Sequence, residues 1–399
     1  MKIKGYIKLF CISCALVISL SACLPRPANN GVANAGGEYT EKEFTPAVDN
    51  GKDSELGSEC REISALVEAG EGITLATDAD FNYKDVEGGV KITKYIGNYE
   101  DENGYIILAI PETIGGKRVV SIGKEAFAIA SKLDGVIIPD SVRTIESLCF
   151  YGCNYLKYVK IGNGLETVGD YAFSMCNRLF EIDLSTVESI GLGALTRCES
   201  INTVKLSFIG GTVDKNTYLG YIFGASNSDF NSEYIPASLR NIILSDECKS
   251  IPDLAFYGCE NLTSVIVPDS VESIGIRAFY KCRSLTEIKL GNGVGTVGDD
   301  AFFGCDGLKS ATLGASLEGL GMQAFFGCSA LENISLSAKL DEIKSSTFYG
   351  CRSLKTIDLL NVRVIGEDAF YGCDTLTPPD TSRVETIAQG NGSLRSSEQ

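Results

Sequence analysis

Apolar residues along this chain follow a two-part rhythm. In "LTSVIVPDSVESIGIRAFYKC", Leu262 to Cys282, Val265 and Val267 alternate with Ser264 and Ile266, Pro268 breaks the alternation, and Ile274, Ala278 and Phe279 follow at closer spacing. Alternation with period two predicts a short strand with one buried face. The tighter second half predicts a helical or 3₁₀ turn that sends Ile274, Ala278 and Phe279 inward, with Gly275 letting the chain turn. The unit then returns: Phe127, Phe150 and Phe173, and after a gap Phe256, Phe279, Phe302, Phe325 and Phe348, stand 23 residues apart, with Phe370 following after 22. Cys153, Cys176, Cys198, Cys259, Cys282, Cys305, Cys328, Cys351 and Cys373 keep the same beat. A fixed period of this size predicts a solenoid in which strands stack in parallel and no unit buries its apolar face without its neighbours.

The register assigns most of the chemistry-bearing residues to structure. The phenylalanine and cysteine columns form a structural ladder, with the cysteines read as small core residues. Stacked strands lie about 4.8 Å apart, so neighbouring thiols are also within bridging range if exported to an oxidising compartment. Cys149 in place of the usual alanine and Cys248 in place of the usual valine fit the packing reading, whereas Cys60 lies outside the register with no identifiable partner. "GNGVGTVG", Gly291 to Gly298, resembles a phosphate loop in composition but occupies the same repeat positions as "PDSVESIG" and reads as a solenoid turn.

One interval breaks the period. From Ile201 to Leu239 the spacing is 38 residues in place of 23, an excess of 15, within an irregular segment 207–237 rich in aromatics. Phe223 reads as the core phenylalanine of an enlarged repeat. Tyr218, Tyr221 and Tyr234 are candidate ligand-binding residues, because loops carried on rigid scaffolds tend to hold binding function and tyrosine offers contact area at low entropic cost. The outward strand residues beside them, Thr203, Lys205, Asn241 and Ile243, complete the candidate surface.

Before the array, Lys2, Lys4 and Lys8 precede an apolar run from Leu9 to Leu20 that suits a signal peptide and is short for a bilayer span. The run ends in Leu20, Ser21, Ala22 and Cys23, which resembles the bacterial lipoprotein signal; that resemblance implies that Cys23 is lipidated and heads the mature chain. Residues 24–58, poor in apolar side chains, read as a disordered tether. Glu87-Gly88-Gly89 between alternating segments predicts a β-hairpin that caps the exposed first core face. A net charge of −17 argues against nucleic acid and anionic lipid surfaces, so membrane attachment rests on the lipid anchor only. The chain contains no histidine, which removes the usual general base and the commonest metal ligand; no cofactor, no metal and no catalysis are expected.

Taken together, the unit I-G-x-x-A-F-x-x-C-x-x-L, the capping hairpin leading into "IPETIGGKRVVSIGKEAF" and the lipoprotein signal resemble BspA-like bacterial leucine-rich-repeat surface lipoproteins over roughly residues 81 to 376. The fold expected is an α/β repeat solenoid of about ten 23-residue units with one parallel strand per repeat and an N-terminal β-hairpin cap. The expected organisation is a signal peptide, 1–22; lipidated cysteine and tether, 23–58; N-terminal cap, 59–118; solenoid, 119–376; and a degenerate half-repeat with tail, 377–399. The resemblance implies an exported, membrane-anchored protein displayed at the cell surface. It further implies binding or adhesion toward a protein or polysaccharide ligand, host matrix proteins included. A structural or assembly component of the envelope is the alternative, and an anchored enzyme the reading from another class.

Overall fold

A computed structural model of the chain describes residues 52–98 and 104–394. The signal peptide, Cys23 and the tether up to residue 51 lie outside the described residues. The array is a coil of backbone in which each turn of about 23 residues makes three contacts with the next. The first is a row of parallel strands running through Tyr158–Lys160, Glu181–Leu184, Thr203–Leu206, Asn241–Leu244, Ser264–Ile266, Glu287–Lys289, Ser310–Thr312 and Asn333–Ser335. Register is set by the buried positions, so Val204 lies beside Ile242 and Ile242 beside Val265. A one-residue slip would turn each of these side chains out to solvent.

A second row replaces the helical turn predicted from spacing. Ser250–Ile251, Ser273–Ile274, Thr296–Val297 and Gly319–Leu320 are two-residue strands paired in parallel, so each coil carries two strands rather than one. The backbone groups of Ile274 find partners in the adjacent coils, which an isolated helical turn would leave to water. Nor is Gly275 a bend: it is needed because a Cβ there would stand 2.4 Å from the Asp253 nitrogen of the preceding coil.

The third contact is the A-F-x-x-C corner, a run of overlapping turns. Cys305 N bonds to Phe302 O at 3.2 Å and Phe303 N to Asp300 O at 3.0 Å within the coil. Alternate amides cross to the next coil, Asp300 to Met322 O, Phe302 to Ala324 O and Gly304 to Phe326 O, at 2.8–2.9 Å. This alternation places Asp300 and Gly304 in the left-handed region, φ 56° and 67°, which is where a glycine is least costly. Inside the corner the buried phenylalanines stack: Phe256, Phe279, Phe302, Phe325, Phe348 and Phe370 lie 4.9–5.7 Å apart, centroid to centroid.

Both ends are finished differently. The hairpin Phe81–Val86 with Gly89–Tyr95 is antiparallel and joins the second strand row through Lys117–Ile122. Its Tyr95 ring stacks on Phe127 at 5.0 Å, and Phe127 on Phe150 and Phe150 on Phe173 continue the column. At the far end Pro378 and Pro379 form no strand, while Thr386–Ile387 still pairs with Val364–Ile365. Residues 52–58, read from the sequence as the end of a tether, are instead the first turns of a helix, Lys52–Ala69.

Phe302→Ala should leave a cavity in the middle of the column and cost about 3–5 kcal/mol. Because coils couple mainly to their neighbours, hydrogen exchange should accelerate first in the coils of Phe279 and Phe325; a uniform change along the array would contradict this.

Candidate ligand-binding surfaces

The outward face of the first strand row is the broadest surface the coil offers. Thr203 pairs with Asn241 and Lys205 with Ile243 across adjacent strands, as expected from register. Their exposure departs from the expectation. Thr203 and Asn241 are buried, 6% and 4% exposed, and joined through Asn202: Asn241 Nδ2 donates to Asn202 Oδ1 at 2.8 Å and Thr203 Oγ1 donates to the same oxygen at 3.1 Å. The polar atoms that would meet a ligand are thus bonded to one another. Lys205 is half-exposed and lies 3.5 Å from Asp183, and Ile243 is half-buried. Further along, Glu287, Lys289, Thr312, Asn333 and Ser335 are exposed.

Part of that face already has an occupant. Helix Lys52–Ala69 buries Leu56, Cys60, Ile63 and Val67, whose spacing places them along one stripe. Leu56 and Cys60 pack on Phe180; Ile63 and Val67 pack on Ile107, beside Ile137, Tyr158 and Tyr105. A charged cluster fixes the seat: Lys157 Nζ lies 3.1 Å from Glu59 and 3.0 Å from Asp134, with the Tyr105 ring centroid at 4.8 Å, and Arg178 reaches Glu59 at 2.8 Å. The Lys157 side chain is only 7% exposed. Its desolvation is offset by two carboxylates and an aromatic face. Cys60, without a partner in sequence terms, is a packing residue here, and burial pushes its thiol up to about 12. The 56-60-63-67 spacing was the available signal for this helix.

The enlarged repeat is built into the coil more than displayed on it. Phe223 is buried, and Ile222 O accepts from Leu195 N at 2.8 Å, so the pair occupies the alanine-phenylalanine slots of the corner. Tyr218 donates its hydroxyl to Ala225 O at 3.2 Å and stands edge-to-face with Tyr221, which packs against the core. Buried Asn231 accepts from Gly220 N at 2.9 Å and donates to Tyr257 O at 3.0 Å, stitching the insertion to the coil after it. Of the three candidate tyrosines only Tyr234 is exposed, edge-on to Phe230. The tyrosines attach to the second row and the corner, through bonds such as Gly193 N to Tyr221 O, and do not share a surface with Thr203 and Asn241.

The cysteine column forms a hydrogen-bond ladder. In eight coils the thiol donates to the phenylalanine carbonyl of the preceding coil at 3.1–3.2 Å, as from Cys153 to Phe127, Cys176 to Phe150, Cys328 to Phe302 and Cys351 to Phe325. Cys259 is the exception, 4.0 Å from Tyr257 O; the Phe223 carbonyl of the enlarged repeat accepts instead from Thr196 Oγ1 at 2.9 Å. All the described cysteines are free and buried. Burial raises Cys198 and Cys373 to about 12 and pushes Cys282, Cys305 and Cys328 up as well.

A parallel coil of this unit length, with one residue column per position, is a leucine-rich-repeat solenoid. Its sequence matches the BspA type leucine rich repeat region in six copies over residues 120–243 and 249–377, and the chain belongs to that family. Among solved structures it is similar to a leucine-rich repeat protein from Bacteroides ovatus, with 26% identity, a TM-score of 0.42, and coverage of 75% of this chain and 80% of that one. It is also similar to a leucine rich cell surface protein from Faecalibacterium prausnitzii, with 28% identity, a TM-score of 0.36, and coverage of 79% and 90%. No curated protein matches the sequence.

Two predictions follow from the electrostatics of this region. Below the ordinary thiol pKa both folded and unfolded chains hold the cysteine protons; from about pH 9 to about 12 only the folded chain does, for Cys198 and Cys373. Stability should therefore fall with rising pH in that window, by about 1.4 kcal/mol per pH unit per thiol. Denaturant melts of wild type and of Cys198→Ala/Cys373→Ala test this, the variant having the shallower slope. Separately, Lys157→Met leaves Asp134 without its cation and Glu59 with Arg178 alone, and should loosen the helix by about 2–4 kcal/mol. Limited proteolysis should then cut within residues 52–69 while the array stays intact.

Proposed function

We propose that this protein is a cell-surface binding protein that is held by a lipid on Cys23 and engages a protein or polysaccharide ligand through the outward face of its first strand row. Leucine-rich-repeat arrays of this family are binding scaffolds. The observation that carries the reading is the seat of the N-terminal helix. Ile107, Tyr158 and Phe180 on that face already hold a protein segment by apolar contact, and Lys157 and Arg178 hold it by charge. Downstream, Glu287, Lys289, Thr312 and Ser335 on this face are exposed among the described residues, in mixed charge. This composition suits a broad, mainly polar contact more than a small-molecule pocket. The anchor rests on Leu20-Ser21-Ala22-Cys23, and no helix of the described residues is long and apolar enough to cross a membrane.

The test begins with soluble protein, residues 24–399, offered to matrix proteins and polysaccharides. For whatever ligand is retained, Lys289→Glu with Thr312→Glu should weaken binding about tenfold, roughly 1.4 kcal/mol. Unchanged affinity with the fold intact would exclude this face, and Tyr234→Ala then examines the enlarged repeat. Cys23→Ser should abolish fatty-acid labelling; a variant that labels as wild type does has its lipid elsewhere.

A further inference from the structure

A second aromatic ladder runs on the outside of the corner. Tyr257, Tyr280, Phe303, Phe326, Tyr349 and Tyr371 follow the core phenylalanines by one residue and stack at 4.6–5.0 Å with planes within 19°. The first five are half-buried and Tyr371 is 52% exposed. Beside the rings lies a column without side chains, Gly258, Gly304, Gly327, Gly350 and Gly372, all at left-handed φ, so the ring edges stand as a ridge over a shallow trough. Only Lys281 interrupts it, with its ammonium 5.2 Å from the Tyr280 centroid.

The other flank of the ridge is net acidic. Arg277, three residues before Tyr280, lies on that flank 5.8 Å from the ring centroid. Along the ladder that position and the one before it carry Asp253, Asp299, Glu367 and Asp368, in no ion pair among the described residues, and in the rungs between them exposed Ile276 and Met322 with Gln323, Ser345 and Ser346, while Asp300 neutralises Arg277 at 2.9 Å. Asp253 and Asp299 are held in place by the amides of Ile276 and Met322, at 2.6 and 2.8 Å.

We propose that this ridge docks a cationic amphipathic α-helix lying along the stacking direction, its apolar stripe on the rings and its lysines or arginines over the acidic flank. Pitch selects the helix. Same-face side chains recur about every 5.4 Å along an α-helix, close to the rung spacing, whereas along an extended strand they recur about every 6.7 Å. Charge selects its sign: a second copy of this chain, at −17, would set acid against acid, and an anionic partner would do the same. Edge-exposed aromatic rings over a bare glycine trough provide the apolar contact typical of helix-in-groove binding.

The probe is a labelled 18-residue leucine–lysine peptide with leucines at i, i+3, i+4 and i+7, followed by fluorescence anisotropy. Its controls are a scrambled peptide of identical composition and a leucine–glutamate version. The patterned cationic peptide should bind at least about tenfold more tightly than either control, and hydrogen exchange should slow at 254–258, 277–281, 300–304 and 323–327. Phe303→Ser/Phe326→Ser should remove that preference. Glu367→Gln/Asp368→Asn, which leaves the rings in place, should weaken binding several-fold and flatten its salt dependence. Equal binding of the scrambled peptide overturns the proposal, as does protection on the first strand row or indifference to both variants. Should the phenylalanine variant fail to fold, the footprint on the wild-type protein and the acidic-flank variant decide.

Discussion

Each coil must satisfy its backbone polar groups on the coils before and after it, and it does so at one spacing, that of parallel strands. Every other regularity in the molecule is a consequence of that distance. Phenylalanine rings at equivalent positions fall into stacks at about 5 Å because the backbones that carry them are that far apart. A thiol reaches the phenylalanine carbonyl of the preceding coil for the same reason. Glycine is required where coils come closest, as at Gly275 against Asp253. The cysteine is therefore more than a small apolar filler: Phe302 O accepts from both Cys305 N and Cys328 Sγ, and the thiol supplies a second donor to a buried carbonyl that no water reaches.

The same constraint explains how the coil absorbs an enlarged repeat. Extra residues are harmless only if the positions that touch neighbouring coils are still filled. Ile222 and Phe223 fill the corner slots, and Asn231 supplies through its side chain a bond to Tyr257 O that a regular coil would supply by backbone. The surplus chain folds back between those points. Most of its aromatic surface is used in holding the insertion to the array, and Tyr234 with Phe230 is what remains outside. The ends obey the constraint too, since Tyr95 of the hairpin gives the first phenylalanine ring a face to stack on.

A solenoid offers its surfaces as long stripes, and this one carries two of different character. The first strand row is mixed in charge and is partly covered by the chain's own helix. The corner is an aromatic ridge with an acidic flank. One is suited to broad polar contact and the other to a narrow apolar element, and the period that builds the core repeats both. Function in such a molecule lies in which outward residues are chosen at positions the fold leaves free.

The residues alone determined the solenoid, because a 23-residue recurrence of phenylalanine and cysteine has no other economical burial, and they determined the hairpin through Glu87-Gly88-Gly89. They also marked Phe223 as a core residue in a disturbed repeat. The second strand of each coil was not legible, since two residues are too few to show a period, and Ile274 becomes strand only through Ile251 and Val297 beside it. Nor was the burial of Thr203 and Asn241, which alternation assigns to the outside; their bonds to Asn202 exist only once strands far apart in sequence are aligned. Lys157 is the clearest case. As a sequence position it is one more surface lysine, and it becomes a buried anchor because Glu59, from a helix before the array, is brought to its ammonium by tertiary packing alone.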